Sequence, residues 1–202
     1  MNQEEKENLL LGIKEEVIKC HKCGLSKTRI LPVIGQGSHN AKIMLIGEAP
    51  GASEDKTGVP FCGRAGQVLN LLLASVGIKR DDVYIANILK DRPPQNREPA
   101  VEEIIACTPY LLRQIAAIEP KIIATLGNYS AHFMLEQFQV AESHLGISQL
   151  RGRKFIVKDL NSKNSYIIIP LYHPAVAVYN NHMLDDLKKD FQIIKETLDK
   201  EV

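Results

Sequence analysis

Four short and almost uninterrupted apolar runs recur along this 202-residue chain. They cover residues 42–47, 83–89, 121–127 and 166–172, and stretches with helical spacing separate them. Continuous rather than alternating hydrophobicity is typical of strands that are buried on both faces of a parallel sheet. The chain is therefore predicted to be an α/β protein, with three α/β/α layers around a central, mostly parallel four-stranded sheet.

Helical patterns fill the gaps between the apolar runs, and proline and glycine mark several of their ends. The predicted helices cover residues 4–20, 66–76, 99–118, 128–138 and 182–198. A hairpin over residues 151–163 is expected to lead into the last strand. Because no linker divides the chain, one domain over residues 1–202 is predicted, with the N-terminal helix and its cysteines packed against it.

Composition narrows the class of protein further. Apolar residues make up 45% of the chain and charged residues 24%, which is ordinary for a globular fold. The net charge of +1 excludes a broadly basic, histone-like binder of nucleic acid. No apolar run approaches the ~20 residues that a membrane helix needs, and the acidic N-terminus is unlike a secretory signal. We therefore expect a cytoplasmic monomer.

Loops of unusual chemistry follow three of the four predicted strands. The loop over residues 47–66 is rich in glycine, which permits close backbone approach to a ligand. Asn87 lies inside the second apolar run, and His173 with Pro174 ends the last one. Because ligands bind outside the carboxyl ends of strands in open α/β sheets, these loops predict a binding site at that edge.

Each of these polar residues also has a structural interpretation. Asn87 is either a hydrogen-bonded structural residue or a carboxamide that pairs with the edge of a pyrimidine. His173 is either structural or catalytic, and the glycine-rich loop is either a flexible surface loop or a ligand cradle. Cys20 and Cys23 form a Cys-x-x-Cys pair, which in a cytosolic chain indicates metal or redox chemistry rather than a disulfide.

Taken together, the motifs resemble the iron–sulfur branch of the uracil-DNA glycosylase superfamily, often called family four. The similar segments are the Cys-x-x-Cys pair, GEAPGASEDKTGVPFCGRAGQ at 47–67, NILKDRPPQNREP at 87–99 and YHPA at 172–175. Their order and spacing cover nearly the whole chain. The resemblance implies an enzyme of base excision repair that flips uracil out of single- or double-stranded DNA and hydrolyses its N-glycosidic bond, leaving an abasic site.

The resemblance also implies a role for each matching residue. Phe61 would stack on uracil, Asn87 would read its edge, and His173 would face O2, where negative charge grows as the bond breaks. The implied residues are, for uracil binding, Gly47, Ala49, Phe61, Asn87 and His173; for catalysis, Glu48, Glu54 and His173; and for DNA binding, Gly51, Arg64, Arg92, Arg97 and Ala175. Residues 176–179 match the loop that enters the minor groove.

Two positions depart from the family pattern. Ala49 stands where the related non-metal glycosylases have an aspartate, so water activation is assigned to Glu48, Glu54 or ordered backbone groups. Cys20, Cys23 and Cys107 match three cluster ligands, but the third position of the motif is Asp91 instead of cysteine. Aspartate is a harder ligand than thiolate.

Three hypotheses for the metal remain open. They are a 4Fe–4S cluster with Asp91 as an atypical ligand, a three-iron or water-ligated cluster held by three thiolates, and a lost or replaced metal such as zinc. Two other functions also remain open: a DNA-damage binder of the same fold with little turnover, and a nucleotide-binding or redox protein. The second lacks both dinucleotide and Walker patterns.

Overall fold

A computed structural model describes residues 2–159 and 164–201 of the chain. It contains one six-stranded sheet, in the spatial order β1-β3-β2-β4-β6-β5. The strands are β1 (Gln36–Gly37), β2 (Ile43–Gly47), β3 (Tyr84–Asn87), β4 (Ile122–Leu126), β5 (Phe155–Lys158) and β6 (Ser165–Leu171). The four central strands β3, β2, β4 and β6 are parallel, and the two edge strands run antiparallel to their neighbours.

The predicted four-stranded sheet is therefore corrected to six strands, because two short edge strands extend it. The strand β1 has only two residues, too few for any hydrophobic pattern. The strand β5 pairs with β6 as the hairpin prediction requires, although residues 160–163 of the predicted hairpin lie outside the described residues. Its burial alternates, and Ile156 is 80% exposed, so it shows no continuous apolar run.

Eight α-helices surround the sheet in the described residues. They are α1 (Gln3–Ile18), α2 (Ala52–Thr57), α3 (Arg64–Ser75), α4 (Val101–Ile118), α5 (Asn128–Gln137), α6 (Ile147–Leu150), α7 (Ala175–Tyr179) and α8 (Leu184–Glu201). The five longest correspond to the five predicted helices within a few residues. The helix α1 ends at Ile18, so Cys20 follows the helix instead of ending it as predicted.

Two hydrophobic cores, one on each face of the sheet, confirm the three-layer α/β/α prediction. One core contains side chains of α1, α4 and α5, and the other contains side chains of α3 and α8. Alternate residues of β2 enter opposite cores, since Met44 and Ile46 face the first and Ile43 and Leu45 face the second. Burial on both faces is the reason that the central strands are continuously apolar.

A helix that crosses a bilayer must be both long and continuously apolar. None of the helices within 2–159 and 164–201 is both long enough and apolar enough to cross a membrane.

Candidate active site

The parallel register of the central strands brings Gly47 beside Asn87 at the carboxyl edge of the sheet. The two residues are paired partners at the ends of β2 and β3. A Cβ atom placed on Gly47 would lie 2.4 Å from Asn87 Oδ1 and 2.9 Å from the Phe61 ring. Glycine is therefore required at position 47, because any side chain there would displace Asn87 and Phe61.

The side chain of Asn87 is buried at the end of an apolar strand, with 1% of the residue exposed. Within the described part of the chain its Oδ1 atom has no hydrogen-bond partner. A buried acceptor without a partner is costly, and such groups are retained where a ligand can satisfy them. Asn87 also lines a cavity, where a bound molecule would supply the missing partner of this acceptor.

Phe61 adopts a left-handed backbone conformation with φ of 49°, which places its ring at the same sheet edge. The Glu54 carboxylate holds this loop, because Oε1 accepts hydrogen bonds from the backbone N–H groups of Cys62 and Gly63, each at 2.9 Å. The Phe61 ring stacks on the imidazole of His173, with 5.5 Å between ring centroids and 30° between their planes.

His173 follows β6 and precedes α7, where Ala175 N–H donates a hydrogen bond of 3.1 Å to Nδ1. Burial lowers the pKa of His173 to about 4, against a smaller opposing effect of the Glu54 charge. The imidazole is therefore neutral at pH 7. Because Nδ1 accepts a hydrogen bond, the single ring proton is on Nε2, which is available as a donor.

One cavity of about 460 Å³ joins these side chains. Phe61, Asn87 and His173 all line it, so three segments that are far apart in sequence meet in one place. Five further residues singled out by the sequence motifs also line it: Ala49, Gly51, Glu54, Arg64 and Ala175.

Comparison with known proteins agrees with this geometry. A family model described as the uracil DNA glycosylase superfamily matches residues 34–199. The chain belongs to the uracil-DNA glycosylase superfamily. A type-4 uracil-DNA glycosylase of Sulfurisphaera tokodaii is 45% identical over 185 residues, which are 91% of this chain and 82% of that protein.

Two other proteins extend the similarity within the superfamily. The type-4 uracil-DNA glycosylase of Archaeoglobus fulgidus is 41% identical, covering 91% of this chain and 90% of that protein. The type-4 uracil-DNA glycosylase of Thermotoga maritima is 39% identical, covering 95% of this chain and 97% of that protein. The resemblance inferred from the sequence motifs is thereby confirmed.

Asn96 also lines the cavity of this superfamily member, although the motif analysis assigned it no role. It lies in a short turn after Pro93 and Pro94, and its φ of 54° is left-handed. Asparagine tolerates that conformation better than most residues. An asparagine after a Pro-Pro pair is the sequence signal for a tight turn that presents a polar side chain.

Glu48 lies outside the residues that line the cavity. Burial and the charge of Glu98 raise the pKa of its carboxyl group. The charges of Glu48 and Glu98 also raise the pKa of Tyr129, after the larger effect of burial on that phenol. Glu48 therefore lies near Tyr129 of α5, whereas Glu54 is the carboxylate that borders the cavity.

The arginines predicted to bind DNA have different environments. Arg64 is exposed at the rim of the cavity. Arg92 donates from Nε to Asn96 Oδ1 at 2.8 Å. Arg97 makes two hydrogen bonds to the Glu103 carboxylate, at 2.6 and 2.9 Å, so its charge is already paired in the free protein.

The three cysteines of the predicted metal site lie around α1 and α4. Cys107 on α4 is buried and accepts a hydrogen bond from Lys90 N–H at 3.5 Å, whereas Cys20 and Cys23 are half-buried. Burial raises the pKa of Tyr110, which also lies on α4, and Cys20 raises it further. Burial raises the pKa of Cys23, and raises that of Cys107 to about 11, with a further contribution from the Asp91 charge.

The described residues do not form a closed metal site. Among residues 2–159 and 164–201, no group of three or more histidine, cysteine, aspartate or glutamate side chains is arranged to hold a metal ion. The three thiols nevertheless influence one another, because after the larger effect of burial the Cys20 charge raises the pKa of Cys23 and the Cys23 charge raises the pKa of Cys107. Three soft sulfur donors fit an iron–sulfur cluster, whereas Asp91 is held by a different partner, Arg29.

Proposed function

We propose that this protein removes uracil from DNA by hydrolysing the N-glycosidic bond, which leaves an abasic site. The observation that carries the proposal is the convergence of Phe61, Asn87 and His173 on one cavity, with Asn87 Oδ1 buried there without a partner in the described chain. The names of the type-4 relatives support the same activity.

Base recognition follows from the chemistry of these side chains. A base that is flipped out of the DNA stack would lie against Phe61, and the Asn87 carboxamide would pair with its polar edge. Uracil offers an N3–H donor beside the O4 acceptor, which complements the acceptor and donor of a carboxamide. Cytosine offers an acceptor and an amino group at these places, so a fixed Asn87 would reject it.

His173 would stabilise the leaving group. As the bond between C1′ and N1 breaks, negative charge develops on the uracil, including O2, and the sugar becomes positively charged. The neutral imidazole donates from Nε2, and a donor aimed at developing charge is stronger in the transition state than in the ground state. Water supplies the hydroxyl that bonds to C1′, and its proton neutralises the released base.

Glu54 is the better placed of the two candidate carboxylates for the sugar and the attacking water. Its Oε1 holds the Phe61 loop, and its Oε2 faces Gly51 at the cavity wall. A negative charge there would favour the cationic sugar. Glu48 lies outside the residues that line the cavity, so it is less well placed to act on the substrate.

Contacts with DNA would come from the rim of the cavity. Arg64 would bind a phosphate, and the backbone at Gly51 and Ala175 would lie close to the strand. Tyr179 is 85% exposed and lines the cavity mouth, so it is suited to fill the gap left by the flipped nucleotide. Arg92 and Arg97 would support the Asn96 turn and α4 as much as the DNA.

Cys20, Cys23 and Cys107 are proposed as thiolate ligands of an iron–sulfur cluster with a structural role. Hydrolysis of a glycosidic bond needs no redox step, so the centre would stabilise the segment after α1. The 4Fe–4S cluster with Asp91 as a ligand remains a prediction from the sequence. A cytoplasmic location, a monomeric state and the single domain with its packed N-terminal helix also remain predictions.

Release of uracil from labelled oligonucleotides tests the proposed activity. Wild type should excise uracil from single- and double-stranded DNA and leave cytosine and thymine intact. Asn87→Ala should reduce the single-turnover rate by about 10²–10³-fold, because the polar edge of uracil loses its partner. Asn70→Ala changes an asparagine on α3 outside the cavity and should keep the wild-type rate.

A second outcome would favour the alternative function of a damage-binding protein. In that case wild type would bind uracil-containing DNA more tightly than normal DNA, yet release no base under single-turnover conditions. Such a result would contradict the proposed glycosylase activity while leaving the recognition site intact.

A further inference from the structure

Asp91 stands where the family pattern has a cysteine, and its carboxylate is paired with Arg29. Arg29 Nη1 lies 3.1 Å from Oδ1 and 3.0 Å from Oδ2 of Asp91. The Arg29 side chain is 9% exposed and the Asp91 side chain 5%, so the ion pair is almost completely removed from water. Both carboxylate oxygens are therefore engaged by one buried cation.

Ligation of iron by Asp91 would conflict with this arrangement. The carboxylate would have to turn away from Arg29 or share its oxygens with the metal. A buried guanidinium that loses its partner is strongly destabilising, because it cannot be deprotonated and is shielded from water. Oxygen is also a poor match for the soft iron–sulfur centre that three thiolates favour.

Arg29 joins this ion pair to the end of the N-terminal helix. It donates to the carbonyl oxygens of Val17 at 3.3 Å and Ile18 at 2.6 Å, which are among the last carbonyls of α1. A cation at the carboxyl end of a helix is favourable because the unpaired carbonyls carry partial negative charge. The same guanidinium thus connects α1 to the Asp91 loop.

The segment after Arg29 connects this anchor to the loops of the active site. Ile30 N–H donates to Asp55 Oδ1 at 2.9 Å, and Leu31 N–H donates to the Asp55 carbonyl at 2.9 Å. Asp55 is buried on α2, next to the Glu54 that holds the Phe61 loop. Fixing the segment that begins at Arg29 therefore fixes α2.

We propose that the Arg29–Asp91 ion pair takes the structural place of the fourth cluster ligand, so that any iron–sulfur cluster at this site is held only by Cys20, Cys23 and Cys107. The inference rests on the cysteine centre of the proposed function. It assigns Asp91 and Arg29 as positioning residues for α1 and α2, and Asp91 is not a metal ligand in this chain.

Iron analysis of two single variants separates the two roles of Asp91. The full-length protein, Asp91→Asn and Arg29→Gln would be purified without oxygen, and iron and inorganic sulfide would be measured per chain. We expect the two variants to change the iron content equally or not at all, since neither residue is a ligand. Loss of iron in Asp91→Asn with full retention in Arg29→Gln would overturn the proposal.

Thermal unfolding tests whether Arg29 and Asp91 stabilise the fold as a pair. Each single variant should lower Tm by roughly 6–15 °C, because each leaves one buried charge or dipole unpaired. The double variant Arg29→Gln/Asp91→Asn should lower Tm by clearly less than the two single shifts combined, since the residues act as a pair. Additive shifts would contradict the inference.

A matched control is the exposed Arg113–Glu16 pair, which connects α4 with α1. Arg113 makes two hydrogen bonds to the Glu16 carboxylate, but the two side chains are 39% and 48% exposed. Glu16→Gln should change Tm by no more than about 2 °C, as for other exposed ion pairs. Uracil excision by wild type is measured in parallel, so failure of the glycosylase proposal is detected separately from failure of this inference.

Discussion

Single residues at the sheet edge illustrate which parts of the site can be predicted from sequence. The proximity of Gly47 and Asn87 follows from the parallel strands, because Gly47 ends the first apolar run and Asn87 lies near the end of the second. The position of Phe61 does not follow from any periodicity, since it depends on a left-handed φ of 49° and on two hydrogen bonds to Glu54. Only the resemblance to the uracil-DNA glycosylase superfamily indicated that Phe61 belongs to the site.

The charge of His173 could not be predicted from its residue type. An ordinary histidine titrates near pH 6.5, so the residue type alone allows both the neutral and the protonated form as donors. Burial in the loop after β6 lowers its pKa to about 4, and the Ala175 N–H fixes which nitrogen carries the proton. The structure thereby selects the neutral donor.

The neutral state of His173 predicts the pH dependence of excision. If Nε2–H of the neutral ring is the donor, the His173 contribution to the single-turnover rate should be constant between about pH 5 and pH 8. A rate that falls as pH rises through 6.5, and that loses this dependence in His173→Gln, would show that the cation is required. His144→Gln, changed at an exposed position, should keep the wild-type rate.

The same pKa has a defined effect on stability. Because the pKa of His173 is lower in the folded protein than in the unfolded chain, the unfolded chain binds the proton more readily between about pH 6.5 and pH 4. The contribution to stability is therefore complete above pH 6.5. As the pH falls from 6.5 toward 4, protonation of His173 in the unfolded chain lowers the free energy of unfolding by at most about 3 kcal/mol.

At the scale of elements, the short helix α2 was missed by sequence analysis. Residues 47–66 are predicted as a glycine-rich loop, yet Ala52–Thr57 form a helix inside it. Six residues are too few to show a helical period, and Gly58, with φ of 72°, ends the helix. The helix matters because it carries both Glu54 and Asp55.

Two substitutions at Glu54 separate its charge from its support of the loop. Glu54→Gln keeps an oxygen that can accept from Cys62 and Gly63 N–H, but it loses the charge near the sugar. We expect a roughly 10-fold or greater fall in the single-turnover rate with little change in Tm. Glu54→Ala should also lower the free energy of unfolding by about 1–3 kcal/mol, because two backbone donors lose their acceptor.

Glu48→Gln is the matched comparison for this prediction. Its carboxyl lies near Tyr129 and outside the cavity lining, so the rate should fall less than in Glu54→Gln. If Glu48→Gln lowers the single-turnover rate more than Glu54→Gln does, Glu48 and not Glu54 is the catalytic carboxylate.

The edge strands show why strand number is harder to predict than strand identity. The central strands carry a continuous apolar signal because both of their faces are covered. The edge strand β5 has one exposed face, and β1 consists of two residues that pair with β3. Neither has the pattern on which the prediction of a parallel strand depends.

At the scale of the whole molecule, the two-sided core and the location of the site were predictable. Both follow from the alternation of strands and helices and from the rule that ligands bind at the carboxyl edge. The partner of Asp91 was not predictable, because Arg29 lies 62 positions earlier in the chain and matches no motif used for the metal site. Long-range ion pairs leave no periodic trace in a sequence.

The exposed ring of Tyr179 predicts a difference between substrates. Flipping a nucleotide from a duplex leaves a gap in the base stack, whereas an unpaired strand has little stacking to lose. Tyr179→Ala should lower uracil excision from double-stranded DNA by roughly 10–100-fold and from single-stranded DNA by much less. Single-turnover rates on matched oligonucleotides measure both effects.

The control for this prediction is another exposed apolar side chain. Ile156 is 80% exposed on the edge strand β5 and does not line the cavity, so Ile156→Ala should leave both rates unchanged. Equal losses on both substrates for Tyr179→Ala would show that the ring contacts the flipped nucleotide and not the duplex.

The pairing of Arg97 with Glu103 has a consequence for how such a protein travels along a genome. A guanidinium that is already neutralised by a carboxylate displaces few counterions when it meets a phosphate, and the chain as a whole carries a net charge of only +1. The affinity of the protein for undamaged DNA would therefore be low and only mildly sensitive to salt. A short residence time on undamaged DNA would allow the protein to sample many sites, which suits a search for rare lesions.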